Sequence, residues 1–169
     1  MRNIIGVLCL VQIFIASVSF AGQCKLIELD VDYKSEQKTE KTIYLSKHER
    51  KRYELKVNYK GQLLDGSGRL LDTRHLPNGT AMFVYSKEGV LYLSTKKSIN
   101  KFTHSSLVGG EEVIVAGTMS IRRGRLKFMT DVSERYVTEK EGNLKAAKYR
   151  LKVMGADLHD TKLFFHFYL

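Results

Sequence analysis

The chain has 169 residues, with 28 Lys and Arg against 18 Asp and Glu, a formal charge of +10. That length is one domain, large enough to bury a core without covalent staples, and two cysteines exclude a disulfide-dense scaffold. The cationic excess favours anionic partners such as nucleic acid, phospholipid head groups or acidic glycans; spread along the chain, it also suits a basic protein with no such partner.

Taken in chain order, Arg2 and the apolar run of residues 4–18 lead into Ser19-Phe20-Ala21, small residues at positions −3 and −1 of a cleavage site. This is the three-part pattern of a secretory signal. The run is shorter than the ~20 residues a membrane-spanning helix needs, so residues 1–21 are expected to be cleaved and the protein to be secreted or periplasmic. Cys9 leaves with the signal, and Cys24 is left to pair with another chain or to stay free. Gln23 before Cys24 argues against a lipoprotein anchor. Residues 25–33 alternate as a strand, and residues 34–41 carry no apolar side chain and read as a charged linker, so residues 22–41 precede a single globular domain at 42–169.

Within that domain, Ser46-Lys47-His48-Glu49 reads as a capping box opening a short helix. Tyr53, Leu55, Val57 and Tyr59 alternate as a strand, and the run of residues 65–68 is turn chemistry. Residues 81–86 and 90–94 flank Lys87-Glu88-Gly89 as a hairpin. Residues 101–108 read as a third strand ended by Gly109-Gly110. Residues 113–121 and 126–130 form a second hairpin around Arg122-Arg123-Gly124-Arg125. Thr138 with Glu141 is a second capping box, and a helix to about residue 150 follows. Residues 163–169 close the chain as an aromatic strand, and Pro77 sits in a loop beside Asn78-Gly79. The expectation is an α+β domain: a mainly antiparallel curved sheet or small open barrel with two short helices.

Seven blocks, taken in order, carry a family resemblance. They are Leu45-Ser46-Lys47-His48-Glu49-Arg50, Gly68-Arg69-Leu70-Leu71-Asp72-Thr73, Met82-Phe83-Val84-Tyr85, Leu91-Tyr92, the dense stretch Phe102-Thr103-His104-Ser105-Ser106-Leu107-Val108-Gly109-Gly110, Ala116-Gly117 and Ser133-Glu134-Arg135-Tyr136. Together they resemble the globular module of plant IQ-motif-containing calmodulin-binding proteins, a module shared with bacterial and fungal proteins, over about residues 43–139. Two departures stand out. No IQ helix occurs in the chain, so calmodulin binding is not expected to carry over. The family's serine–glycine–histidine–tyrosine also stands here as Ser133-Glu134-Arg135-Tyr136, with Arg135 in place of the second histidine.

The candidate site follows from these blocks. On a strand, His104 and Ser106 share a face with Phe102 and Val108, and Ser105 points the other way. A His–Ser pair suggests nucleophile and base, but no orienting carboxylate is identifiable and the strand-to-helix nucleophile elbow is absent. The competing reading has the hydroxyls and the imidazole satisfying backbone groups near the Gly109-Gly110 turn. A phosphodiesterase or ribonuclease would draw on His104, Glu112, Arg135 and Tyr136 as acid, base and cation. Arg122, Arg123, Arg125 and Lys127 form the sharpest basic cluster, either a solvated turn or an anion-binding finger. Asp157, His159 and Asp160 make a small polar cluster without metal-ligand spacing. His166 reads as a sheet residue, and His48 and His75 as cap and loop residues. Tyr53, Tyr59, Tyr85, Tyr92, Phe128 and Phe167 are expected in the core rather than as stacking platforms. Asn78-Gly79-Thr80 is a glycosylation sequon. There is no phosphate loop or dinucleotide fingerprint, and no cofactor or metal is expected. The resulting expectation is an exported basic binding module for an anionic polymer or membrane surface; the alternative is a secreted phosphodiesterase using His104.

Overall fold

The computed structural model describes residues 42–98, 101–133, 135–137 and 141–166. The signal, the first strand and the linker expected in residues 1–41 lie outside the described residues. A five-stranded sheet of order β4-β3-β5-β6-β7 organises the rest, with a two-stranded ribbon β1-β2 beside it. The strands are β1 Lys56–Val57, β2 Leu63–Leu64, β3 Ala81–Ser86, β4 Leu91–Ser94, β5 Val113–Arg122, β6 Arg125–Thr130 and β7 Lys162–Phe164. All pairings are antiparallel except β6 with β7, because the helix α3 Glu141–Val153 carries the chain across the sheet between those two strands. The α+β expectation is met by an open sheet that does not close into a barrel.

The sheet is covered on both faces, which explains why β3 and the start of β5 are nearly continuous apolar runs rather than alternating ones. Phe83, Leu91, Val115, Met119 and Met129 pack on one face beneath Leu144, Ala147 and Leu151 of α3. On the other face Met82, Val84, Tyr92 and Ala116 meet Leu107 and Val108. Those two belong to a second helix, α2 His104–Val108; the first, α1 Lys47–Arg50, lies against it at the sheet's end. Gly117 in β5 lets the β6 backbone approach: a Cβ there would lie 1.8 Å from the Thr130 carbonyl oxygen.

Three local expectations are corrected. Residues 101–108 are not a strand: from His104 the chain is the helix α2. Thr103 donates its N–H to Ser106 Oγ (3.0 Å) at the helix start, and Gly109, at φ +63°, ends it in the left-handed region. Five residues hold too little periodicity to separate helix from strand, and the capping decides. The alternation of residues 53–59 does not make one long strand either. Lys51–Tyr53 is a 3₁₀ turn, only Lys56–Val57 pairs, and Tyr59 stands 92% exposed on the following turn rather than in the core. Among the described residues the closing strand is Lys162–Phe164; residues 167–169, Phe167 with them, lie outside the described residues.

Candidate functional site

Three of the blocks that carry the resemblance, those of residues 45–50, 102–110 and 133–136, meet at one end of the sheet through α1, α2, Ser133 and Tyr136, while the block of residues 68–73 lies at the β5–β6 hairpin. Ser46 caps α1, accepting the Glu49 N–H on its hydroxyl while Glu49 accepts the Ser46 N–H. That start sets Arg50 under α2, 7% exposed. Its guanidinium donates to both carboxylate oxygens of Glu111, at 2.9 and 3.0 Å, and its Nε donates to the Leu45 carbonyl at 3.1 Å. A two-pronged pair of this kind is among the strongest polar contacts available. The Arg50 hydrogen bonds hold the Glu111 carboxyl below its ordinary range, and the Glu111 bonds push the guanidinium up in turn. The double glycine makes room for this arrangement. A Cβ on Gly109 would lie 2.2 Å from Arg50 Nη2, and one on Gly110 would lie 2.9 Å from the Tyr44 ring.

His104 opens α2 and is 2% exposed. Its Nε2 lies 3.0 Å from the Gly117 carbonyl oxygen, which can only accept, so Nε2 carries a proton. Its Nδ1 lies 3.2 Å from Ser133 Oγ. That hydroxyl already accepts the backbone N–H groups of Arg135 and Tyr136, both at 3.3 Å. With its two lone pairs so engaged, Ser133 has its proton left to donate to Nδ1, an arrangement that suits the Nε2–H tautomer. The ring is therefore a strut joining α2, β5 and Ser133. Tyr136, also buried, donates its hydroxyl to the Glu111 carbonyl at 3.1 Å.

The sequence-predicted group is thus only partly assembled. His104 and Ser106 do not share a face, because two residues on a helix point roughly 200° apart. Ser106 Oγ serves the helix start, and Ser105 Oγ lies 3.0 Å from Thr103 Oγ1. Arg135 reaches the knot through its backbone N–H to Ser133. Glu112 is elsewhere, in an ion pair with Lys87. Residue patterns missed the two central partners, Ser133 and the Arg50–Glu111 pair. All but Glu111 sat inside the quoted blocks, but the distance of 61 positions between Arg50 and Glu111 left no local signal.

The basic hairpin closes with Arg123 and Gly124 both at positive φ, 47° and 76°, the geometry of a two-residue turn. The loop is clamped rather than projecting. Gly124 donates its N–H to the Leu71 carbonyl and accepts from Leu63, and the Arg123 N–H donates to Asp72. Arg125 pairs with Asp157 at 3.5 Å, and Lys127 is half-buried. Arg122 and Arg123 are exposed, with no ion-pair partner among the described residues. Asp72 is gripped by Arg74, whose hydrogen bonds hold it far below the usual carboxylate range. His159 Nδ1 lies 2.8 Å from Asp160 on the open surface, and Asp157 accepts the His159 N–H. His48, His75 and His166 are exposed, and Phe128 stacks edge-on against Phe164 at 5.6 Å.

Comparison with known proteins agrees with this arrangement of blocks. The family model described as the IQ motif-containing protein middle domain matches residues 49–143. The chain is 30% identical over 122 residues to IQ domain-containing protein IQM2 of Arabidopsis thaliana, covering 71% of this chain and 20% of that protein. It is 33% identical over 114 residues to IQ domain-containing protein IQM3 of the same plant, covering 65% of this chain and 25% of that protein. The chain therefore spans about a fifth to a quarter of these curated relatives, and no solved structure matches it. The partner expectation is corrected by these matches. An anionic polymer or membrane surface, with calmodulin set aside, does not fit relatives that are IQ domain-containing proteins. The absence of an IQ helix from this chain does not by itself remove a calmodulin-related partner. With the matched residues spanning more than half its length, this chain belongs to the family of the IQ motif-containing protein middle domain.

Proposed function

We propose that this protein is an exported, non-catalytic interaction module whose basic surface binds an acidic protein partner of the calmodulin kind. One observation carries the reading: His104 is 2% exposed with both ring nitrogens hydrogen-bonded inside the fold. A general base needs a lone pair within reach of a substrate proton, and Ser133 occupies the only lone pair this tautomer has. The other groups a phosphodiesterase would use are also committed, Glu112 to Lys87 and the Tyr136 hydroxyl to a carbonyl. The surface has a different character. A formal +10 chain attracts an acidic protein at long range and orients it on approach. The names of the relatives make calmodulin the natural acidic probe.

Titration calorimetry of the purified protein against calmodulin, with calcium and with chelator, tests the binding. The expected outcome is binding in at least one state that weakens with salt, as screening between exposed charges demands. No heat in either state overturns the partner. Incubation with labelled RNA tests the rest: cleavage by the protein that His104→Ala abolishes overturns the non-catalytic reading. Export is tested by sequencing the protein's N-terminus after secretion. It is expected to begin Gly22-Gln23-Cys24, and an intact Met1 there overturns it.

A further inference from the structure

The outer face of α3 carries a feature that the motif blocks do not touch. Lys145, Lys148, Tyr149 and Lys152 recur at i, i+3, i+4 and i+7, one stripe of the helix. The buried residues Leu144, Ala147 and Leu151 form the neighbouring stripe, roughly 120° round the helix, against the sheet. After the helix the chain turns at Gly155, at φ +89°, and returns past Leu158 and His159 into β7. The returning chain and the lysine stripe enclose a groove of about 590 Å³, with Leu158, Leu163 and Tyr149 among its apolar lining.

The charges around this groove are unbalanced. Lys145 is met by Glu141 at 2.8 Å. Lys148 Nζ donates to the Thr161 carbonyl at 3.0 Å, which fixes its position without neutralising it. Lys152 is exposed and has no side-chain partner among the described residues. Tyr149 is 57% exposed and Val153 beside it 59%, an amount of apolar surface that a helix ordinarily turns inward. Exposed apolar surface ringed by like charge is the pattern of an interaction site. Three lysines over an apolar floor complement an acidic segment with an aliphatic or aromatic anchor. A second copy of this chain would bring +10 against +10.

We propose that this groove, which extends beyond the residues 49–143 matched by the family model, is where the acidic partner docks, through a peptide segment of glutamates or aspartates around one large apolar side chain. The assignment rests on the interaction-module reading and deepens it by naming the surface. The lysines supply attraction and register, and Tyr149, Leu158 and Leu163 receive the anchor.

Fluorescence anisotropy with a labelled glutamate-rich peptide bearing a central phenylalanine tests the proposal on the purified protein. Binding is expected, and replacing glutamate by glutamine or phenylalanine by alanine in the peptide should weaken it. Lys148→Gln with Lys152→Gln should weaken it about three- to tenfold, the worth of two exposed ion pairs, with Lys152→Arg restoring the second lysine's share. Tyr149→Ala should weaken it with the thermal midpoint unchanged. Arg122→Gln with Arg123→Gln, at the hairpin, should leave it unchanged. Groove variants that bind peptide and calmodulin as the wild type does overturn the groove and leave the module reading standing. A wild type that binds calmodulin but not the peptide overturns the groove alone, and one that binds neither overturns both. Light scattering showing a dimer that Tyr149→Ala dissociates assigns the groove to a second copy and overturns the peptide.

Discussion

At the scale of a residue, the His104 imidazole is enclosed by its hydrogen-bond partners. Its two nitrogens bridge the Gly117 carbonyl and the Ser133 hydroxyl at 3.0 and 3.2 Å, away from water. His104→Ala strands both partners, and Ser133→Ala strands the imidazole and two backbone N–H groups. Each buried orphan costs about 1–3 kcal/mol, so both variants should lower the urea midpoint by comparable amounts. A midpoint unchanged in both contradicts the strut. The Arg50–Glu111 pair makes a second prediction, in pH. Arg50 lowers the folded-state pKa of Glu111 below its ordinary 4.5, so the unfolded chain binds the proton first. The pair's contribution is then complete above about pH 5 and is lost as pH falls through the folded value. Asp131 runs the other way, because burial raises its pKa and favours the folded state as acid is added. Glu111→Gln should therefore flatten, without abolishing, the fall of the urea midpoint between pH 5 and 3. An acid limb of unchanged slope removes the pair from the account.

At the scale of an element, α2 depends on how it ends. Gly109 and Gly155 both sit at positive φ, 63° and 89°, but a Cβ meets Arg50 Nη2 at 2.2 Å in the first and nothing within 4 Å in the second. Gly155→Ala should cost the conformational term alone, about 1–2 kcal/mol. Gly109→Ala adds displacement of a guanidinium held by two hydrogen bonds to Glu111, and should cost more in the same urea assay. Equal costs would mean that the guanidinium moves freely. The motif around His104 was legible in the residues, but its secondary structure was not. Phe102, His104, Ser106 and Val108 alternate in a way that suits a strand, and the helix is chosen by Thr103, Ser106 and Gly109 acting together. By contrast the two hairpins were legible from Gly89 and Gly124, which take the positive φ their turns need, although the second turn is the two residues Arg123-Gly124 rather than the four of Arg122-Arg123-Gly124-Arg125, because Arg122 pairs with Arg125.

The whole molecule depends on a helix that extends past the family match. Leu144, Ala147 and Leu151 of α3 are fully buried on the sheet face opposite α2, while the matched residues stop at 143. Leu151→Ala should cost about 2–5 kcal/mol, transfer and cavity combined, and a chain ending at residue 143 should lose its cooperative thermal transition. Retention of that transition would show that the matched residues fold without α3. Because α3 packs one stripe on the sheet and turns the neighbouring stripe to the proposed groove, substitutions at Leu151 and Lys152 should separate: Leu151 affects stability, Lys152 affects binding.

The residues alone determined the class of fold, both hairpins, the capped start of α1 and the membership of a family, because each rests on near-neighbour chemistry or on blocks read in order; the cap expected at Thr138 lies outside the described residues. They did not determine what the blocks are for. Arg50 and Glu111 are 61 positions apart, His104 and Ser133 are 29 apart, and nothing local marks either pair. Only the tertiary structure set the His104 ring between the Gly117 carbonyl and the Ser133 hydroxyl, and set Arg125 beside Asp157 and the Arg123 N–H on Asp72. The same folding gathered three lysines and a tyrosine of α3 around an apolar groove. Hydrogen-bond partners and burial are set by which elements pack together, and a side chain's chemistry follows from those partners.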